Sequence, residues 1–194
     1  PFDWDRLQED VGLTAEAARL FTDAIRLARN VPAPLTSFDH FISLFPMVCL
    51  RGFPEGVEYY RLFKEQVAER VDQGIGAVPN ERYRLYWDNI PIWYRVGAHA
   101  RKFASYGAAV VASVYPYGTW CLPVGNMEAS KPLESLAKAM TRTYICYGTK
   151  FRTEFIADLV KEFSVDGLVM QASRTCKPFL IGQQDIVKGV EERT

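Results

Sequence analysis

The run Ala108-Ala109-Val110-Val111-Ala112-Ser113-Val114 is small, almost wholly apolar and free of charge. Such a run suits a strand covered on both faces, and that means a parallel sheet flanked by helices. Gly167-Leu168-Val169-Met170 is a second short run of this kind. Arg82-Tyr83-Arg84-Leu85-Tyr86-Trp87 alternates with a period of two and predicts a third strand. Helical patterns lie between them. One spans about Trp93–Tyr106, with Val96, Ala100 and Phe103 inward and Gly107 past its end. A loop rich in Pro, Gly and Tyr leads to a short helical piece at Leu133–Met140, and a strong helix follows over Lys150–Phe163. A last helix opens after Pro178. Strands alternating with helices predict an α/β fold, a parallel flavodoxin- or Rossmann-like sheet with right-handed crossovers. Three strands are fewer than the roughly four to six of most sheets. The sequence closes on a helical stretch, VKGVEERT, so the sheet is expected to be incomplete.

Residues 1–76 read differently, as a helical segment ahead of the partial α/β domain at 77–194. Thr14 is a candidate cap for a helix through Asn30, with Ala17, Leu20, Phe21, Ala24 and Ala28 on one stripe. Ser37 is a candidate cap for a shorter helix ending before Pro46. A third helix is expected from Pro54 to Gln73, with Pro54, Glu55 and Glu58 suiting its start and Gly74 its stop.

Charge narrows the function classes. The 23 Lys plus Arg balance 23 Asp plus Glu, which removes the basic footprint of a nucleic-acid binder. No apolar run approaches the roughly 18–20 residues of a membrane span. The opening PFDWDRLQED is acidic and aromatic, unlike a secretory signal, and there is no initial Met. Cys49, Cys121, Cys146 and Cys176 are too few and too scattered for a disulfide scaffold or a zinc knuckle, and a reducing, cytoplasmic setting is expected. Cys49, among Phe45, Met47, Val48 and Leu50, is expected to be buried, and Cys146 likewise; His99 is expected to be an exposed helix residue. The sequence has no P-loop, GxGxxG, GxSxG or HExxH.

In open parallel sheets, ligands bind beyond the carboxyl ends of the strands. That places candidate chemistry in Asp88–Trp93, Ser113–Cys121 and Gln171–Lys177. The third segment crowds hydroxyls, two cations and a thiol before a helix. There Arg174, Lys177 and the helix end would favour a Cys176 thiolate, the form that ligates iron or attacks an electrophile. The plainer reading is an ordinary half-buried cysteine. Trp87 and Trp93 flank Asp88-Asn89, so aromatics could wall a pocket in which Asn89 orients a carbonyl; core packing with an Asx turn before Pro91 fits the same spacing. Cys121, Cys146 and Cys176 gathering into a cluster site of their own is a further alternative.

ERYRLYWDNIPIWY and VDGLVMQASRTCKPFLIGQQD, within a likeness that runs through nearly the whole chain, resemble the 2-hydroxyacyl-CoA dehydratase family, which includes benzoyl-CoA reductase subunits. SRTCKP resembles the alpha type of subunit. The resemblance implies a longer subunit of two similar α/β domains, of which this chain holds the connecting helical segment and most of the second. It implies elimination of water from an (R)-2-hydroxyacyl-CoA, a step of anaerobic amino-acid fermentation. The β hydrogen is not acidic, so an injected electron first turns the thioester into a ketyl that expels hydroxide. A 4Fe-4S cluster on three cysteines relays the electron, supplied by an ATP-dependent iron–sulfur activator protein, and a beta-type subunit completes the enzyme. By this resemblance Cys176 is one cluster ligand and the other two lie outside the chain. Ser173 and Arg174 are then contacts beside the ligand or on the substrate side, with Asn89 and Trp93 next. A single thiolate cannot hold a cubane, so the chain is expected to be inactive alone. A benzoyl-CoA reductase subunit, or a folded module without a cluster, are the alternatives.

Overall fold

The computed structural model describes residues 2–194. Helix α1 (Trp4–Arg26) is capped by Asp3, whose carboxylate accepts from the Arg6 N–H at 2.9 Å. The start expected at Thr14 is corrected: Leu7 and Val11 carry the apolar stripe back toward the terminus, and Thr14 is buried in mid-helix. The chain continues through a 3₁₀ turn at Leu27–Arg29. In α2 (Ser37–Ile42) the cap is Thr36 rather than Ser37, because Asp39 accepts from both the Thr36 N–H and hydroxyl, at 2.7 and 2.8 Å. Pro46 does not merely follow that helix. It sits in the first turn of α3 (Phe45–Cys49), where its missing N–H is harmless. Helix α4 (Pro54–Asp72) has the expected extent, with Gly74 left-handed just beyond it.

Helices α1 and α4 pack together through Phe21 and Tyr60, stacked at 4.6 Å between centroids. The Tyr60 hydroxyl donates to the Ser43 carbonyl at 2.7 Å and accepts from the Met47 N–H at 2.9 Å. One buried ring thereby holds the turn between α2 and α3.

Strands β1 (Tyr83–Asp88), β2 (Ala108–Ser113) and β3 (Gly167–Met170) form a parallel sheet of order β2-β1-β3. The α/β expectation and all three strands stand, but β3, expected to be buried, is half-buried along its whole length. Leu85 lies opposite Val110 on one side and Gly167 on the other, and a register shift after Leu85 leaves Val111 unmatched. Side chains alternate between two cores. Tyr86, Ala109 and Val111 pack with α1, and with Ile156 of α8 (Thr149–Glu162) and Ile186 of α10 (Gln183–Glu191). Trp87 and Val110 pack with Phe38 and Phe41 of α2 and Val96 of α5 (Val96–Ala104). The leading helices therefore contribute to both layers.

Helix α5 is shorter than expected, preceded by a 3₁₀ turn at Trp93–Arg95. Gly107 after it is left-handed, and a Cβ there would lie 2.7 Å from the Asn80 carbonyl oxygen. The segment expected as a loop is instead a π-helical turn, Tyr115–Cys121, running into α6 (Leu122–Gly125). Helix α7 (Pro132–Thr141) matches the expected short piece, and the final helix is split into α9 (Lys177–Leu180) and α10. Among the described residues, no helix is long and apolar enough to cross a membrane.

Candidate functional site

β1 is the central strand, and the chain places β2 on one side of it and β3 on the other. That reversal puts the switch point between the carboxyl ends of β1 and β3, where such sheets open a crevice. Asp88 and Asn89 end β1; Gln171 through Lys177 leave β3. Three side chains stitch the two ends together. The Asn89 carboxamide donates to the Gln171 carbonyl at 3.0 Å, and its oxygen accepts from the Ile90 N–H at 2.7 Å. Gln183, at the start of α10, donates to the same carbonyl at 3.0 Å and to Asp88 Oδ2 at 3.2 Å. Asn89 is left-handed (φ 81°), a conformation Asn accepts more readily than most residues. Gly182, also left-handed, turns the chain so that Gln183 reaches this point, and a Cβ there would clash with the Thr149 methyl.

Asp88 is fully buried, with Oδ1 accepting from the Tyr86 hydroxyl at 3.1 Å and facing the Tyr144 hydroxyl at 3.5 Å. Burial raises its carboxyl above the ordinary value, against the opposing pull of the Gln183 hydrogen bond, the Arg152 charge and the two tyrosine hydroxyls. The folded state thus binds this proton more tightly than the unfolded chain. The consequence is that the Asp88 contribution to stability is most favourable in acid and diminishes as pH rises from the ordinary carboxylate range through the raised value. Melting the parent and Asp88→Asn across pH 4–7 should show the parent losing ground to the variant as pH rises. A gap that stays constant with pH would remove the assignment.

Arg152, buried in α8, extends the network toward the Cys176 loop. It donates from Nη1 to the Pro178 carbonyl at 2.9 Å and the Ile181 carbonyl at 3.3 Å, and from Nη2 to the Phe179 carbonyl at 3.1 Å. Its guanidinium lies over the Tyr144 ring at 4.8 Å, and that ring stacks on Phe179. One cation thereby fixes the backbone immediately after Cys176.

Cys176 itself is half-buried, packed at the margin of the main core, and immediately precedes α9. Ser173 is nearly buried, its hydroxyl 3.4 Å from that of Thr175, while Arg174 is exposed. Asn89 and the Ser173–Cys176 loop therefore occupy the same end of the sheet. Trp93 is half-exposed and meets Phe41 and Tyr115 edge-on, at 6.4 and 6.1 Å. Sequence reasoning missed Asp88, Gln183, Tyr144 and Arg152 as a unit. The one available signal was an acid directly after an aromatic strand.

The other cysteines part from expectation. Cys49 and Cys146 are exposed, not buried. In the single turn of α3 the buried side is taken by Pro46 and Met47, leaving Phe45, Val48 and Cys49 outside. Cys146 sits beside the Thr143 hydroxyl at 3.1 Å in a short surface turn. Cys121 is fully buried, and burial pushes its thiol well above the ordinary range. His99 is half-buried against Trp87 rather than exposed, their rings 5.8 Å apart. Among the described residues no three His, Cys, Asp or Glu side chains are grouped to hold a metal ion, so the Cys121–Cys146–Cys176 cluster is not formed. With a thiol reagent on the folded chain, Cys49 and Cys146 should react first and Cys121 only on unfolding; mass mapping of labelled Cys121 in native protein would contradict this placement.

The architecture defines an α/β domain with an open parallel sheet and a polar, cysteine-bearing loop cluster at its switch point. Residues 1–194 match the family described as 2-hydroxyglutaryl-CoA dehydratase, D-component, and the chain belongs to that family. Among its relatives, a benzoyl-CoA reductase subunit of Thauera aromatica is 29% identical over 202 residues, covering all of this chain and 47% of the relative. The (R)-2-hydroxyisocaproyl-CoA dehydratase alpha subunit of Clostridioides difficile is 27% identical over 195 residues, with the same coverage. The lactoyl-CoA dehydratase alpha subunit of Anaerotignum propionicum is 26% identical over 178 residues, 91% of this chain and 42% of the relative. The chain spans about half the length of these relatives.

Proposed function

We propose that this chain is part of an alpha-type subunit of a 2-hydroxyacyl-CoA dehydratase, and that Cys176 is one thiolate ligand of its 4Fe-4S cluster. The observation that carries the reading is the position of Cys176: half-buried at the switch-point end of the sheet, just ahead of a turn held by a buried arginine. One thiolate fits a share of such a cluster and no more, so the remaining ligands come from outside these residues. Bound there, the cluster would supply a single electron to the substrate thioester, which lets hydroxide leave and makes the β hydrogen acidic. The chain's own residues have other tasks. Arg152 holds the loop backbone, Asn89 and Gln183 lock the two strand ends, and Gln171 keeps a buried side-chain oxygen without a partner beside them. Arg174, exposed and without an ion pair among the described residues, is available to an anionic group of the acyl-CoA. A beta-type partner and an ATP-dependent iron–sulfur activator would complete the system, in the cytoplasm.

The test is iron and acid-labile sulfide per subunit after anaerobic purification of the complete subunit with its partner. Cys176→Ala should lose most of the iron, whereas Cys146→Ala should keep it. Equal iron in Cys176→Ala and parent would refute the assignment, and a complete subunit without iron would favour a folded module with no cluster. Because a benzoyl-CoA reductase subunit is among the relatives, a reductase role is the second reading. A panel of 2-hydroxyacyl-CoA esters and benzoyl-CoA, assayed with the activator, separates the two.

A further inference from the structure

A cavity of about 560 Å³ opens between the first half of α1, the turn after α3, the π-helical turn and α7, within the size range of small-molecule sites. None of its lining residues belongs to the polar cluster at the switch point. Leu7, Val11, Met127, Leu136 and Met140 make its apolar wall. Arg51 stands at its mouth. Its Nε donates to the Met47 carbonyl at 2.8 Å, and its guanidinium lies over the Trp120 ring at 5.1 Å. Those two contacts fix the plane of the cation, yet no carboxylate among the described residues pairs with it. Partial burial lowers its pKa from the ordinary value, so an acceptor anion would be favoured there.

Two further features shape the site. Trp120 and Thr119 come from a π-helical turn, a distortion that recurs at functional sites. Asp10 also lines the cavity, but its charge is met by Arg6 Nε at 2.8 Å. Gly52 is left-handed, and a Cβ on it would lie 2.9 Å from Asp10. With the Asp10 charge met by Arg6, the single available cation matches one negative charge.

We propose that this cavity binds a monocarboxylate with an apolar tail of medium length, its carboxylate on Arg51 and its tail along Leu136, Met127 and Met140. The inference does not rest on the cluster reading and survives its failure.

Calorimetric titration of the full chain with decanoate, below its micelle concentration, tests it. Saturable binding is expected, with decanamide at least tenfold weaker and Arg51→Met weakened by a similar factor for decanoate. A methyl NMR spectrum of the parent protein gives a second readout that needs no variant. Of the four methionines, Met127 and Met140 should shift with decanoate while Met47 and Met170 do not. Absence of saturable heat, equal affinity for decanamide, unchanged affinity in Arg51→Met, or shifts spread over all four methyl groups would each overturn the proposal. The S-methyl thioester of decanoic acid competing as well as decanoate would also overturn it, since that ester carries no charge for Arg51.

Discussion

Replacing Arg84 with Met should destabilise the fold by about 3–5 kcal/mol, the usual cost of leaving one partner of a buried ion pair uncompensated. Arg84 is buried on β1 and reaches three separate parts of the chain. Nη2 donates to the Ala28 carbonyl at 2.7 Å, Nε to the Phe163 carbonyl at 2.9 Å, and Nη1 to the Asn30 carbonyl at 3.2 Å and to Glu81. Glu81 is itself buried and accepts from the Ala33 N–H at 2.6 Å. The Arg84 N–H adds a bond to Asp166 at 2.8 Å just ahead of β3. The 3₁₀ turn after α1, the residue closing α8 and the centre of the sheet thus share one cation. For a chain of this size the loss should lower the melting temperature by roughly 10 °C or more. Glu81→Gln added to Arg84→Met should recover part of it, since the stranded carboxylate is then neutral. A single variant melting within about 2 °C of the parent would show that these bonds are exchanged for water at little cost.

Arg84 also shows what sequence reasoning can and cannot see. The strands declared themselves, because a run such as Ala108–Val114 is almost wholly apolar and must be enclosed. Helix α4 did as well, since Pro54 and Gly74 have conformational requirements that a helix start and stop meet. The partners of Arg84 are backbone carbonyls of Ala28, Asn30 and Phe163, and a carbonyl is the same at every residue. No pattern of residue types marks which of them a buried guanidinium will find. The same reason hid Arg152, whose acceptors are three more carbonyls. Cys176 was recognisable as a site candidate from the cations and hydroxyls around it. The packing behind it was not. The exposure of Cys49 was misjudged because apolar neighbours in sequence are not neighbours in space when the helix is a single turn with one buried side.

Arg152→Met should act on the site as well as on stability. The substitution keeps the aliphatic stem but strands the Pro178, Phe179 and Ile181 carbonyls, and unsatisfied buried acceptors cost about 1–3 kcal/mol each before relaxation or entry of water. It also removes a cation that opposes the rise of the buried Asp88 carboxyl, so Asp88 should hold its proton to still higher pH. A net loss of about 2–4 kcal/mol is expected by the same reckoning of unmade bonds. The informative readout is Cys176. With its following turn untethered, Cys176 should be alkylated about tenfold faster, an opening of roughly 1.4 kcal/mol. Cys121, fully buried and reactive only on unfolding, reports any loosening of the whole chain and serves as the internal control. Arg152→Lys should restore little, because an ammonium cannot span the acceptors that a planar fork reaches together. If Cys176 and Cys121 accelerate together, the variant has loosened the whole chain and Arg152 is only a core residue. If Cys176 alone accelerates, the network from Asp88 through Arg152 is what keeps this thiol in one place. A ligand of a rigid cluster needs that constraint, and an incidental surface cysteine does not.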